Sequence, residues 1–234
     1  MSNSNQKCTI ENCEFNRCGT SGYAIYSQNS EFLIDSSRFY FSGTVTQSSS
    51  GVYINKKGKV SFNNVTFENV KSTPITIQKE DNQNKIYQIE FVDCSFIKCA
   101  SASSSLIDLP DDYGESLVFN KCTFSSSRST NYIINTKGFK SINIANSTFT
   151  FSGTDSKCGG IKIARSNNNN EVSITIDTCK FTNIQVSESG GALSTDVFQN
   201  LLVQNCSFTQ CSTTGTKNGG AIYINNQFPS TSSV

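Results

Sequence analysis

The chain has 234 residues, 19 basic and 18 acidic side chains, ten cysteines and no histidine or tryptophan. A net charge of +1 with no cluster of Lys or Arg excludes an electrostatic footprint for nucleic acid or an anionic membrane surface. The longest apolar runs are strand-length, so no transmembrane helix is expected.

Residues 1–7 are polar, carry no secretory signal and read as an irregular end. The first repeating unit follows and shows the plan of the rest. Cys8 and Ile10 stand two apart, the strand period that puts both on one face. Asn12 tolerates left-handed backbone and suits a sharp corner. Cys13 and Phe15 form a second inward pair, a polar loop follows, and Gly22 to Tyr26 (GYAIY) opens a third strand.

The same order recurs along the chain, centred on Phe15, Phe39, Phe67, Phe96, Phe124, Phe149, Phe181 and Phe208, at intervals of 24 to 32 residues. The leading apolar pairs are Phe32/Ile34, Val60/Phe62, Ile89/Phe91, Leu117/Phe119, Ile142/Ile144, Ile174/Ile176 and Leu201/Val203. Asp35, Asn64, Asp93, Asn120, Asn146, Asp177 and Asn205 follow, each three or four places before its Phe. Third strands are clearest at GGIKI (Gly159 to Ile163) and GGAIYI (Gly219 to Ile224), with Thr76, Asp108 and Lys162 as outward residues between inward ones. Residues 228–234 read as a second irregular end.

Units of this size bury their faces only by stacking on one another. Three short strands, one tight corner and one variable loop per unit predict an all-β fold, a single-stranded parallel β-helix (solenoid) of about eight coils. An antiparallel β-sandwich also uses short strands and regular turns, but it does not require the same corner and core residue in every unit. The unbroken repeat predicts one domain over residues 1–234. The missing polar caps predict that this domain is a fragment of a longer protein.

The cysteines follow the repeat. Cys8, Cys13, Cys94, Cys122, Cys179 and Cys206 occupy inward positions, and Cys18, Cys99 and Cys211 stand three after a Phe. Only Cys158 lies outside this scheme. Pairs separated by four residues, without histidine, do not make a zinc site. Cys94/Cys122 and Cys179/Cys206 fall at equivalent places in neighbouring coils, but stacked Cβ atoms about 4.8 Å apart exceed the comfortable disulfide range of roughly 3.5–4.5 Å. Buried free thiols acting as small apolar groups are the expectation.

Three further features invite a chemical reading. The turn LPDDYGE, with Asp108 just before it, gathers Asp108, Asp111, Asp112 and Glu115, oxygen donors suited to Ca²⁺, although Pro and Gly there also suit a solvated turn. Asn64, Asn146 and Asn205 head N-x-[S/T] sequons at the corner, as glycosylation candidates or as members of a structural side-chain ladder. Outward Thr123/Ser125, Thr148/Thr150, Thr182 and Ser207/Thr209 form hydroxyl rows of the kind found on ice-binding faces, interrupted by Lys180. No catalytic or cofactor-binding residue is assigned, and no cofactor is expected.

GGAI at Gly219 to Ile222 and GGAL at Gly190 to Leu193, together with F-x-x-[C/S] at Phe15 to Cys18, Phe96 to Cys99 and Phe208 to Cys211, resemble the repeats of chlamydial polymorphic outer membrane proteins and their adhesin-like relatives. Those repeats carry GGA[I/L/V] and F-x-x-N, so Cys stands here where the family has Asn. The resemblance covers about residues 8–227. It implies a right-handed parallel β-helix and a surface-exposed or secreted passenger-like rod presenting loops to a host-cell or glycan ligand. The functional expectation is a non-enzymatic scaffold for adhesion or recognition through variable edge loops, with further coils of a longer chain as neighbours. The alternative is a carbohydrate-active, pectate-lyase-like fragment, a polysaccharide lyase or hydrolase.

Overall fold

The structure is a computed structural model that describes residues 7–18, 22–28, 31–41, 50–55, 58–78, 87–101, 105–109, 114–127, 129, 132–151, 158–165 and 172–225. All regular structure among them is β, in three long parallel sheets of eight strands each and one short two-stranded pairing. The chain visits the sheets in rotation, so each strand pairs with its counterparts one circuit before and after. That is a parallel β-helix.

The first sheet stacks Lys7–Glu11, Glu31–Asp35, Lys59–Asn63, Tyr87–Val92, Gly114–Asn120, Phe139–Ala145, Ser173–Asp177 and Asn200–Gln204. Its register aligns Cys8 with Phe32 and Ile10 with Ile34, then Phe32 with Val60 and Ile34 with Phe62, and so on through Ile174/Leu201 and Ile176/Val203. The leading pairs of the repeat are thus two inward columns, and alternation sends their neighbours outward. The first strand begins at Lys7, one residue inside the segment expected to be irregular.

The second sheet is made of three-residue strands, from Glu14–Asn16 to Ser207–Thr209. Its middle position holds all eight phenylalanines in one column. Successive ring centroids lie 4.5 to 5.1 Å apart with planes within 11° of parallel. In the central coils a second column, Phe62, Phe91 and Phe119, meets Phe67, Phe96 and Phe124 at steep angles, with centroids 6.2 to 6.4 Å apart. Parallel stacking within a column and edge contacts between columns are both favourable aromatic geometries.

The strands are this short because corners bracket them. The residue three before each Phe has positive φ in every coil: Asn12, Ser36, Asn64, Asp93, Lys121, Asn146, Thr178 and Asn205. In three coils the corner itself is therefore Ser36, Lys121 or Thr178, and the expected Asp35, Asn120 or Asp177 ends the preceding strand. A second corner, not anticipated, lies two after the Phe, with positive φ at Arg17, Asn69, Lys98, Ser126, Asn183 and Gln210. The other two coils read F-x-F, and their Phe41 and Phe151 run straight on into the core.

The third sheet runs from Tyr23–Ser27 through Ser50–Ile54, Ile75–Ile77, Ile107–Asp108, Tyr132–Lys137, Gly159–Ala164 and Leu193–Thr195 to Ile222–Ile224. In the GGA segments the first glycine takes positive φ, at Gly190 and Gly219. The second lies so close to the next coil that a Cβ on Gly191 would sit 2.3 Å from the Gly220 carbonyl oxygen. The motif is a backbone requirement.

Among the described residues all ten cysteines are free thiols. At the inward place two before the Phe, the thiols of Cys94, Cys122 and Cys179 each donate to a carbonyl of their own coil and one of the preceding coil, at 3.3 to 3.6 Å. Ser37 and Ser147 take the same place and donate to Asp35 and Ala145 carbonyls. Cys99, Cys211 and Ser127 repeat the arrangement three after the Phe. Cys and Ser interchange in these coils because each is a small side chain with one proton to donate, although Val65, Val70 and Ile184 fill the same places elsewhere without a donor, so these thiols do more than fill space.

Candidate recognition face

The exposed surface differs from sheet to sheet. Outside the second sheet, the early coils carry a charge ladder: Arg38 reaches Glu14 at 3.9 Å and Glu68 at 2.5 Å and lies over the Tyr40 ring. The later coils place Thr123 beside Thr148, Ser125 beside Thr150, and Thr182 beside Thr209 in register, with Lys180 between Thr148 and Ser207. The hydroxyl rows are present, and the lysine stands inside them.

Outside the third sheet one outward column runs Tyr26, Tyr53, Thr76, then Asp108, Asn135, Lys162, Ser194 and Tyr223. At its lower end Tyr26 and Tyr53 stack with centroids 5.1 Å apart and planes 6° from parallel, and Tyr23 leans on Tyr53 at 4.5 Å. Tyr26 keeps 57 % of its surface exposed and Tyr23 keeps 40 %. Two amides complete the group. The Gln28 Nε2 donates to the Tyr26 hydroxyl at 3.1 Å, and the Tyr53 hydroxyl donates to the Gln78 Oε1. Partial burial, then the neighbouring phenols, raise the pKa of Tyr53.

The upper end of this face is closed instead. Lys162 pairs with Glu188 at 2.9 Å, the Tyr132 hydroxyl donates to the Ser189 carbonyl at 2.6 Å, and Asn218 N–H donates to Ser189 Oγ at 3.2 Å. Burial pushes the Tyr132 phenol up to about 12. The loops Gln185 to Ser189 and Ser212 to Asn218 both begin in a short two-stranded parallel pairing, Gln185–Val186 with Ser212–Thr213.

The expected site residues are dispersed. Of the Ca²⁺ candidates, Asp108 lies in the outward column of the third sheet, Glu115 is the second residue of a first-sheet strand and pairs with Lys140 at 3.0 Å, and Asp111 and Asp112 lie outside the described residues. The sequon residues Asn64, Asn146 and Asn205 are exposed at one corner, and their side-chain amides donate to Ser36, Asn120 and Asp177 of the preceding coils at 3.0 to 3.4 Å. The Asn205 amide, then the Thr178 hydroxyl, hold the Asp177 carboxyl below its usual range. The repeat pattern by itself does not mark the tyrosine group, because it registers the inward residues of the third strand. Its signal was nevertheless present: in GYAIY and GVYI the tyrosine follows an inward residue, and alternation must turn it outward.

No protein-family model matches the chain, and neither a curated protein nor a solved structure matches it. Among the described residues no helix is long and apolar enough to cross a membrane.

Proposed function

We propose that this chain is a non-enzymatic recognition rod of a cell-surface or secreted protein, in which the stacked coils hold variable loops along one edge for adhesion. The resemblance to adhesin-like passenger repeats points the same way. The observation that carries the reading is the contrast between a uniform interior and a varied edge. The Phe column, both first-sheet columns and the corner repeat coil after coil, whereas the segments leading into the third strand differ in length and sequence each time. Loops set at the same place in each coil of a rigid solenoid share one side of it, where binding residues concentrate. The loops of the earlier coils, Thr44 to Ser50, Ala100 to Ser104 and Asp155 to Cys158, fall mainly outside the described residues.

Replacing these loops with short Gly/Ser turns tests the proposal. The expected result is a rod of unchanged β-signal and unfolding midpoint that no longer binds host cells or a glycan array. Retention of binding by the loop-replaced rod refutes the reading. Release of reducing ends or unsaturated products from a polysaccharide panel overturns it in favour of an enzyme.

A further inference from the structure

We infer that Asn64, Asn146 and Asn205 carry N-linked glycans, set in a row along the corner between the first and second sheets. This inference rests on the reading of the chain as a cell-surface or secreted rod and names the modification that the rod carries.

The chain has 26 asparagines, and three of them head an N-x-[S/T] sequence. All three stand at the place in the repeat where the fold turns an asparagine and a hydroxyl residue outward together. Asn64, Asn146 and Asn205 have φ of 49°, 52° and 52° and are exposed. The middle residue, Val65, Ser147 or Cys206, turns into the rod. The third, Thr66, Thr148 or Ser207, opens a second-sheet strand on its outer side. This corner and the residues flanking it are described in all eight coils.

Hydrogen bonding leaves each amide free to be linked. A side-chain amide has two N–H groups. One donates to the preceding coil: Asn64 to Ser36 Oγ at 3.4 Å, Asn146 to Asn120 Oδ1 at 3.1 Å and Asn205 to Asp177 Oδ1 at 3.0 Å. Linkage replaces one hydrogen and keeps the other, so the ladder bond and the glycan coexist on one nitrogen. In the transfer, Nδ2 bonds to the anomeric carbon of a polyprenyl-pyrophosphate oligosaccharide. The bond from that carbon to the pyrophosphate oxygen breaks, and the amide proton leaves with no change of oxidation state.

The corner also spaces the glycans. They fall on the third, sixth and eighth coils, three and two rungs apart, roughly 14 and 10 Å at the sheet spacing. The variable loops leave the opposite end of the second-sheet strands. A row of glycans therefore covers one edge of the rod and leaves the loop edge clear.

The test starts from the chain isolated from the cells that make it. Peptide-N-glycosidase in heavy-oxygen water converts each glycan-bearing asparagine to labelled aspartate, and label is expected at positions 64, 146 and 205. Thr66→Val, Thr148→Val and Ser207→Ala remove the acceptor hydroxyl but keep the corner amide, so each variant should lose one glycan and keep its unfolding midpoint. A second readout concerns the shared nitrogen. Trimming by an endoglycosidase leaves one sugar on Nδ2 and should not move the midpoint. Full release puts a carboxylate at position 205 against Asp177 and should lower it. An unlabelled position strikes that site, and no label at any of the three overturns the inference, as does label that persists in the hydroxyl variants. Equal midpoints after the two treatments overturn the coexistence of ladder and glycan. Cell binding by a rod produced without glycans separates the two readings. If that rod binds while the isolated chain carries no label, the modification fails and the recognition rod stands; if the isolated chain is labelled but neither form binds cells, the recognition reading fails alone.

Discussion

Removing Phe124 should cost far more than removing Phe208, although the two occupy the same place in the repeat. Phe124 is fully buried between Phe96 at 4.8 Å and Phe149 at 4.7 Å, with Phe119 edge-on at 6.2 Å. Taking away its ring exposes roughly 100–150 Å² of lost burial, about 2.5–4 kcal/mol at 25 cal/mol per Å². Each lost aromatic pairing adds about 0.5–1.5 kcal/mol. The coils above and below are pinned by their own sheets and cannot close the gap, so Phe124→Ala belongs at the upper end, about 4–5 kcal/mol. Phe208 is only partly buried and stacks on a single ring, Phe181, at 5.1 Å. Its truncation forfeits less burial, and about 1–2 kcal/mol is expected. Urea unfolding followed by far-UV circular dichroism measures both, with the slope compared between variants, because stacked repeats lose cooperativity when a central interface weakens. Equal losses, or a Phe124→Ala loss below about 1 kcal/mol, would refute the continuous column.

Burial pushes the thiols of Cys99 and Cys179 up to about 12 and that of Cys158 up to about 11, from an ordinary value of 9.0. The unfolded chain then loses these protons first, so stability should be unaffected below pH 9 and fall as pH rises through 9 to about 11–12, as unfolding at stepped pH would show. In the native protein a thiol reagent at pH 8 should modify the exposed Cys13 and Cys18 quickly and Cys94, Cys99, Cys122, Cys158 and Cys179 only on unfolding; prompt reaction of the buried set contradicts this packing. Thr178 holds a β-branched side chain at φ 52°, so Thr178→Asn should stabilise by about 1 kcal/mol, and the reverse change Asn146→Thr should destabilise by a similar or larger amount. Gly191→Val should lower the melting temperature sharply, because its Cβ must displace the backbone of the next coil; an unchanged melting temperature rejects the close approach at the GGA motif.

The sequence alone determined the architecture, since each coil has to satisfy the same local demands. Inward residues two apart and a compact side chain two places before the Phe recur because every coil meets the next in the same way. The phenylalanine column could be read from spacing for that reason. The corner was legible only in part: Asn and Asp mark it, but Lys121 and Thr178 take the same left-handed conformation because the stacked coils on either side impose it. The second corner, two residues after the Phe, carries no fixed residue type, so nothing in the chain announced it.

Only the tertiary structure decided which surface stands open. Tyr26, Tyr53 and Tyr223 follow the same local pattern, and no local rule separates them. What distinguishes Tyr26 and Tyr53 is that residues far apart in the chain bring two rings and two amides to one place on adjacent rungs, while at the other end Glu188 and Ser189 fold back on Lys162 and Tyr132. Stacking order sets that difference, and stacking order is a property of the folded rod.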